Sequence, residues 1–167
     1  MEDPGSQNML WQALLLFILT LLNAFFSAAE MAMVSLNRAR VEQKAEEGDL
    51  KYIRLLAVLE SPNNFLSTIQ VGITVINILS GASFAYNLGK LFSSWMGNSE
   101  TARAIGTFLA LVLLTYISIV LGELYPKRIA MNLKDNLAVR AAPVIIFLGK
   151  IVNPFVWLLS ASTNLLS

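Results

Sequence analysis

Three short polar stripes interrupt the long apolar runs of this sequence, and the chemistry of the chain lies in them. The first is Asn23, Ser27 and Glu30. Their i, i+4, i+7 spacing puts them on one face of a helix. The second is Gln70, Thr74, Asn77 and Gly81, with Ser67 three residues before Gln70. The third is Ser118, Gly122 and Glu123, followed at once by Pro126 and Lys127. A carboxylate at the end of a charge-free apolar run is costly and needs a partner or an ion nearby. Gly122 has no side chain, so a neighbour or a ligand can reach its backbone. Pro126 lacks the amide that would donate to the Gly122 carbonyl four residues back. An under-used carbonyl beside a carboxylate suits a hard cation. Plainer readings stay open for each stripe. Glu123 and Lys127 could pair at i, i+4 where a helix stops. The Ser27 hydroxyl could bond back to the Asn23 carbonyl. Asn77 could hold two helices together.

Composition narrows the chemistry. The chain has 167 residues, 56% hydrophobic and 14% charged. A soluble domain is about 25% charged, so this is an integral membrane protein. Histidine and cysteine are both absent. That excludes haem, iron–sulfur clusters, disulfides, the usual zinc sites and Cys/His nucleophiles. A bound metal would be held by oxygen alone. Net charge is +1, and no basic patch with interleaved aromatics marks a nucleic-acid surface. No residue stands out as a nucleophile beside a substrate pocket, so the sequence does not read as an enzyme.

The elements that must position the stripes follow from the apolar runs. The expected class is an all-α membrane protein with three transmembrane helices and cytoplasmic juxtamembrane amphipathic helices forming a belt. Residues 1–8 read as a disordered tail. Residues 9–34 form the first span, whose one charge is Glu30. About 20 residues suffice to cross the bilayer core. Residues 35–60 are a mixed-charge juxtamembrane hairpin broken at Gly48-Asp49, with an apolar set of Tyr52, Leu55, Leu56 and Leu59. Such a segment lies on a membrane surface. The second span, 63–88, opens on Ser61-Pro62, and residues 90–103 are a polar connection turning at Gly97-Asn98. The third span is 104–125, with Pro126 as a structural hinge. Residues 127–167 read as amphipathic belt helices. Within them, 141–167 could be a fourth span or an interfacial helix pair; Lys150 and Asn153-Pro154 interrupt the apolar pattern and favour the pair. Lys and Arg number five in the hairpin and five after the third span, but two in the 90–103 connection and none in the tail. By the positive-inside rule the N-terminus faces out and the C-terminus lies in the cytoplasm. Small residues at Gly72, Ala82, Ala104, Gly106 and Ala110 suit a dimer surface.

Three segments carry a family resemblance. FFSAAEMAMVSLNRARVEQKAEEG (25–48), STIQVGITVIN (67–77) and GELYPKRIA (122–130) resemble the DUF21 transmembrane domain of the CorC/CNNM family of magnesium transporters. The resemblance covers residues 9–165. It implies a homodimer in the cell (inner) membrane, in contact with the lipid bilayer. It also implies a bound, largely dehydrated Mg²⁺ exported against an inward Na⁺ gradient. By motif, Ser27, Asn77 and the Gly122 carbonyl would bind the ion. Glu123 and Glu30 match acidic positions of the family, and Asn23, Ser80 and Ser67 are further candidates. The chain departs from the family pattern at Ala28-Ala29, where Gly-Ser is common, and at Ile73, where Asn is common. ATP would act only through cytoplasmic CBS domains, which lie outside this chain. The alternatives are a Na⁺ or Ca²⁺ transporter, and a non-transporting membrane anchor or dimerisation module.

Overall fold

The computed structural model describes residues 4–97 and 99–167, with side chains from residue 8 onward except Tyr86. Every regular element among them is helical. The order is α1 (Pro4–Ser35), α2 (Arg38–Glu46), α3 (Leu50–Leu59), α4 (Pro62–Trp95) and α5 (Glu100–Ile119). A π-helical turn, Val120–Leu124, then leads into α6 (Tyr125–Asn132) and α7 (Lys134–Leu166). Four helical stretches among the described residues are long and apolar enough to cross a membrane: Asn8–Ser35, Pro62–Trp95, Glu100–Asn132 and Lys134–Leu166.

Several boundaries differ from the sequence reading. Helix α1 begins at Pro4, inside the stretch read as a tail; residues 1–3 lie outside the described residues. Pro4 suits a helix start because a first-turn residue has no amide to lose. The connection expected over 90–103 is mostly helix, since α4 runs to Trp95 and Ser99 caps α5 through the Ala102 amide. Gly97 takes a left-handed φ of 101° there; its expected turn partner, Asn98, lies outside the described residues. The largest difference is α7, one 33-residue helix with Pro143 and Pro154 inside it. Asn153-Pro154 therefore does not divide 141–167 into two helices. Each interior proline removes one amide donor; the surrounding apolar pattern still carries the helix through.

The chain divides into two compact units. Met1–Phe25 with Thr74–Pro126 forms the first, and Phe26–Ile73 with Lys127–Ser167 forms the second. In the first, α4 and α5 approach closely through glycine. An ideal Cβ on Gly106 would lie 2.6 Å from the Gly89 carbonyl oxygen, and one on Gly89 would lie 2.7 Å from Thr107 Oγ1. Ala102, Gly106, Ala110 and Leu114 recur every four residues and are all buried. Small side chains let two backbones meet without lipid between them. Gly106 and Ala110 are thus used inside the protomer and do not serve the dimer surface the sequence suggested.

In the second unit, Asn37 caps α2 and Asp49 caps α3. Gly48 joins them at φ 90°, a conformation glycine adopts without steric cost. Val41, Leu55, Val58 and Leu59 turn inward, and α3 packs on α7. The hairpin is tied down by Arg40–Asp135 at 3.2 Å and by Lys134 Nζ donating to the Ser35 carbonyl at 3.2 Å.

Gly106→Val should therefore lower stability by about 1–3 kcal/mol through overpacking. Gly81→Ala, whose new methyl meets nothing within 4 Å, should raise it by up to about 1 kcal/mol through helix propensity. Thermal unfolding of both variants in detergent checks the contrast.

Candidate ion-binding cluster

Asn23 sits at the centre of the first unit's polar residues. It lies on the buried stripe of α1, 2% exposed. Its Nδ2 donates to Asn77 Oδ1 on α4 across 3.4 Å, a long bond. An ideal Cβ on Gly122 would fall 2.5 Å from the same Nδ2. The Asn23 amide therefore rests directly on the Gly122 backbone, and only glycine leaves room for it. Asn23 Oδ1 is buried with no hydrogen-bond partner among the described residues. An unpartnered buried amide oxygen costs about 1–3 kcal/mol, so this atom is a strong acceptor in a dry place.

The backbone at Gly122 supplies further acceptors. Tyr125 N–H donates to the Val120 carbonyl, five residues back. The Leu121 carbonyl thereby loses its α-helical donor. Pro126 has no amide for the Gly122 carbonyl. Two successive carbonyls lack their i+4 donors at the point where Gly122 meets Asn23. π-turns inside helices occur frequently at functional sites. The π-turn ends two residues before Pro126, the residue read as a structural hinge, and helix continues through Pro126 to Asn132.

Beside the cluster is a cavity of about 260 Å³, lined by Asn77, Ser80, Thr115, Ser118 and Glu123 among others. Ser80 is buried and Glu123 half-buried. Glu123 has no ion pair among the described residues, because Lys127 reaches Glu30 instead, at 3.7 Å. The Glu123–Lys127 pairing allowed by the sequence is not formed.

The remaining candidates lie in the second unit. Ser27 is fully buried and its Oγ has no partner. The back-bond to Asn23 is not made, although Thr20, Thr68 and Thr115 all make such bonds, at 2.8, 2.7 and 2.6 Å. Glu30 is held by Lys127. Ser67 is half-buried and takes no part in the cavity around Asn77. Gln70, Thr74 and Asn77, read as one polar stripe, are all exposed on α4. The structure thus brings Asn23, Asn77 and Gly122 together, with Ser80 and Glu123 on the adjoining cavity. Thr115 also lines that cavity and escaped the sequence reading; it lies outside the third stripe and looks like one more helix hydroxyl.

A match to known sequences bears on what this cluster belongs to. The family described as the cyclin M transmembrane N-terminal domain matches residues 14–167. The chain belongs to that family. It is 37% identical over 153 residues to the UPF0053 protein sll0260 of Synechocystis, covering 89% of this chain and 34% of that protein. It is 31% identical over 157 residues to the UPF0053 protein YhdT of Bacillus subtilis, covering 92% and 34%. With the UPF0053 inner membrane protein YfjD of Escherichia coli it shares 30% over 146 residues, covering 87% and 32%. The chain spans about a third of the length of these relatives. Family membership and the four long apolar helices make it a multi-pass membrane protein.

Contact between Gly122 and Asn23 has a measurable consequence. Gly122→Ala should force the Asn23 amide aside and break its bond to Asn77, at a cost of about 1 kcal/mol. In an Asn23→Ala background the same substitution should cost almost nothing. A double-mutant cycle by thermal unfolding measures the difference; additive effects would contradict the contact.

Proposed function

We propose that this chain is the ion-carrying membrane domain of a dimeric Mg²⁺ exporter driven by Na⁺. The observation that carries the reading is Asn23 Oδ1, a buried and unpartnered oxygen beside two helix carbonyls without α-helical donors. Such a set offers acceptors and no acid-rich cage; among the described residues no three His, Cys, Asp or Glu side chains come together. Oxygen ligands of this kind suit a hard cation. Asn23, Asn77 and the Gly122 carbonyl are the proposed ligands, with Ser80 and Glu123 available from the adjoining cavity. The family resemblance gives Ser27 the same role, and its buried, unpartnered hydroxyl is an oxygen a cation can use. Magnesium over Ca²⁺ or Na⁺, export, and sodium coupling rest on the resemblance.

The proposed membrane arrangement keeps three spans and a cytoplasmic belt. Ten of the twelve Lys and Arg residues lie at 38–54 and 127–150, which supports an external N-terminus and a cytoplasmic hairpin and belt. By the same rule the C-terminus stays inside and α7 belongs to the belt. The inner membrane of the cell is the proposed location; the printed name of YfjD places that relative there. A second copy of the chain is the proposed partner, on the family resemblance.

One observation favours a second reading. Asn23–Asn77 is a helix-to-helix hydrogen bond, which a membrane anchor would also use. Thermal unfolding titrated with MgCl₂, CaCl₂ and NaCl at matched ionic strength separates the two. A ligand at about 100 times its Kd stabilises by roughly 2.7 kcal/mol. The exporter reading expects Mg²⁺ to raise the midpoint, and Asn77→Ala to abolish that rise. Ser27→Ala should also lose the rise while its ion-free stability is unchanged or improved, since it removes an orphan hydroxyl. No shift with any cation would favour the anchor.

A further inference from the structure

A second cavity, remote in chemistry from the first, lies wholly within the second unit. It measures about 340 Å³ and is bounded by the end of α3, the start of α4 and the middle of α7. Its polar lining is Lys150, Asn153, Ser61, Asn64 and Thr68, whose hydroxyl already donates to the Asn64 carbonyl, and no carboxylate among the described residues lines it. Its apolar wall includes Phe65 and Ile145, both buried.

Lys150 is the residue that needs explaining. It lies between Arg140 and Ser167 with no other charge in that stretch. It is exposed and makes no ion pair among the described residues. An ammonium on an apolar helix needs an anion or an aqueous interface. Asn153, three residues on, lies on the same helical face and adds amide donors. Gly149 keeps the cavity open on the α7 side; an ideal Cβ there would only just touch Thr68 Oγ1, at 3.6 Å. The start of α4 contributes the positive end of a 34-residue helix, a minor addition to the lysine.

We infer that this cavity binds the phosphate headgroup of an anionic glycerophospholipid from the surrounding bilayer, with Lys150 as the charge partner. The two-sided lining selects the ligand. The donors at Lys150, Asn153, Ser61 and Asn64 suit a phosphoryl oxygen, and the apolar wall suits the glycerol and first acyl carbons. A free phosphate would leave that wall uncovered. Basic pockets between helices on the cytoplasmic side of a membrane protein are suited to anionic headgroups. The inference rests on the membrane placement alone and is independent of ion transport.

Native mass spectrometry of the purified chain in neutral detergent with EDTA tests it, titrating phosphatidylglycerol, phosphatidylcholine and glycerol 3-phosphate. Phosphatidylglycerol should be retained about tenfold more tightly than phosphatidylcholine, the scale of one charge-assisted contact. Lys150→Gln should remove that preference and Lys150→Arg should keep it. Gly149→Leu, which fills the cavity with the lysine intact, should also remove it. Glycerol 3-phosphate should not displace the lipid. Unchanged selectivity in Lys150→Gln or in Gly149→Leu would overturn the inference. So would displacement by glycerol 3-phosphate, which would make the site one for soluble phosphate.

Discussion

In a bilayer a polar group has no water to fall back on, so each buried donor or acceptor must be satisfied by protein, lipid or ion. Asn23 is where that constraint presses hardest in this chain. Its Nδ2 has Asn77, while its Oδ1 has nothing. Around it the usual remedies are withheld. Gly122 offers no side chain, Pro126 offers no amide, and the Tyr125 amide is diverted to Val120. A helix that only had to cross the membrane would do better with leucine at position 23 and an unbroken α ladder. The unpartnered Asn23 Oδ1 and the two carbonyls without i+4 donors make sense together if a cation meets them.

The second unit meets the same constraint by pairing several of its charges, with the Ser27 hydroxyl left over. Arg40–Asp135 and Lys127–Glu30 pair across elements, and Lys134 closes on the Ser35 carbonyl. Partly exposed pairs of this kind are worth about 1 kcal/mol each. Arg40–Asp135 and the Lys134–Ser35 bond fix where the hairpin docks while Val41 and Leu55 supply the buried surface. Pairing Lys127 with Glu30 also leaves Glu123 without an ion pair among the described residues, on the cavity around Asn77.

Helical class and the location of the apolar runs were legible from the sequence, because a run of 20 apolar residues has few other outcomes. Helix ends were less so. Residues Lys90–Trp95 look polar enough for a loop yet extend α4, since a strong helix end waits for a turn such as the one at Gly97. The α7 helix passes through Pro143 and Pro154 because propensity is local and the apolar pattern on either side outweighs it. At the cluster, Gly122 and Pro126 pointed to a weakened helix ladder. The π-turn itself has no residue signature, and nothing in the spacing says that Lys127 prefers Glu30 to Glu123. The i, i+4, i+7 rule placed Asn23 and Ser27 on one buried face of α1. It could not say that the matching stripe of α4 is exposed, because periodicity finds a face and not what the face meets.

Binding of a divalent cation by the oxygens around Asn23 is the central question for this domain. The most direct measurement is anomalous-difference density from crystals of this chain grown with Mn²⁺, a hard ion that takes the same oxygen ligands as Mg²⁺. The account expects a peak within about 2.5 Å of an Asn23, Asn77 or Gly122 oxygen, absent in crystals of Asn77→Ala. Anomalous peaks confined to surface carboxylates such as Glu42, Glu46 and Glu60, with none at Asn23, would contradict it.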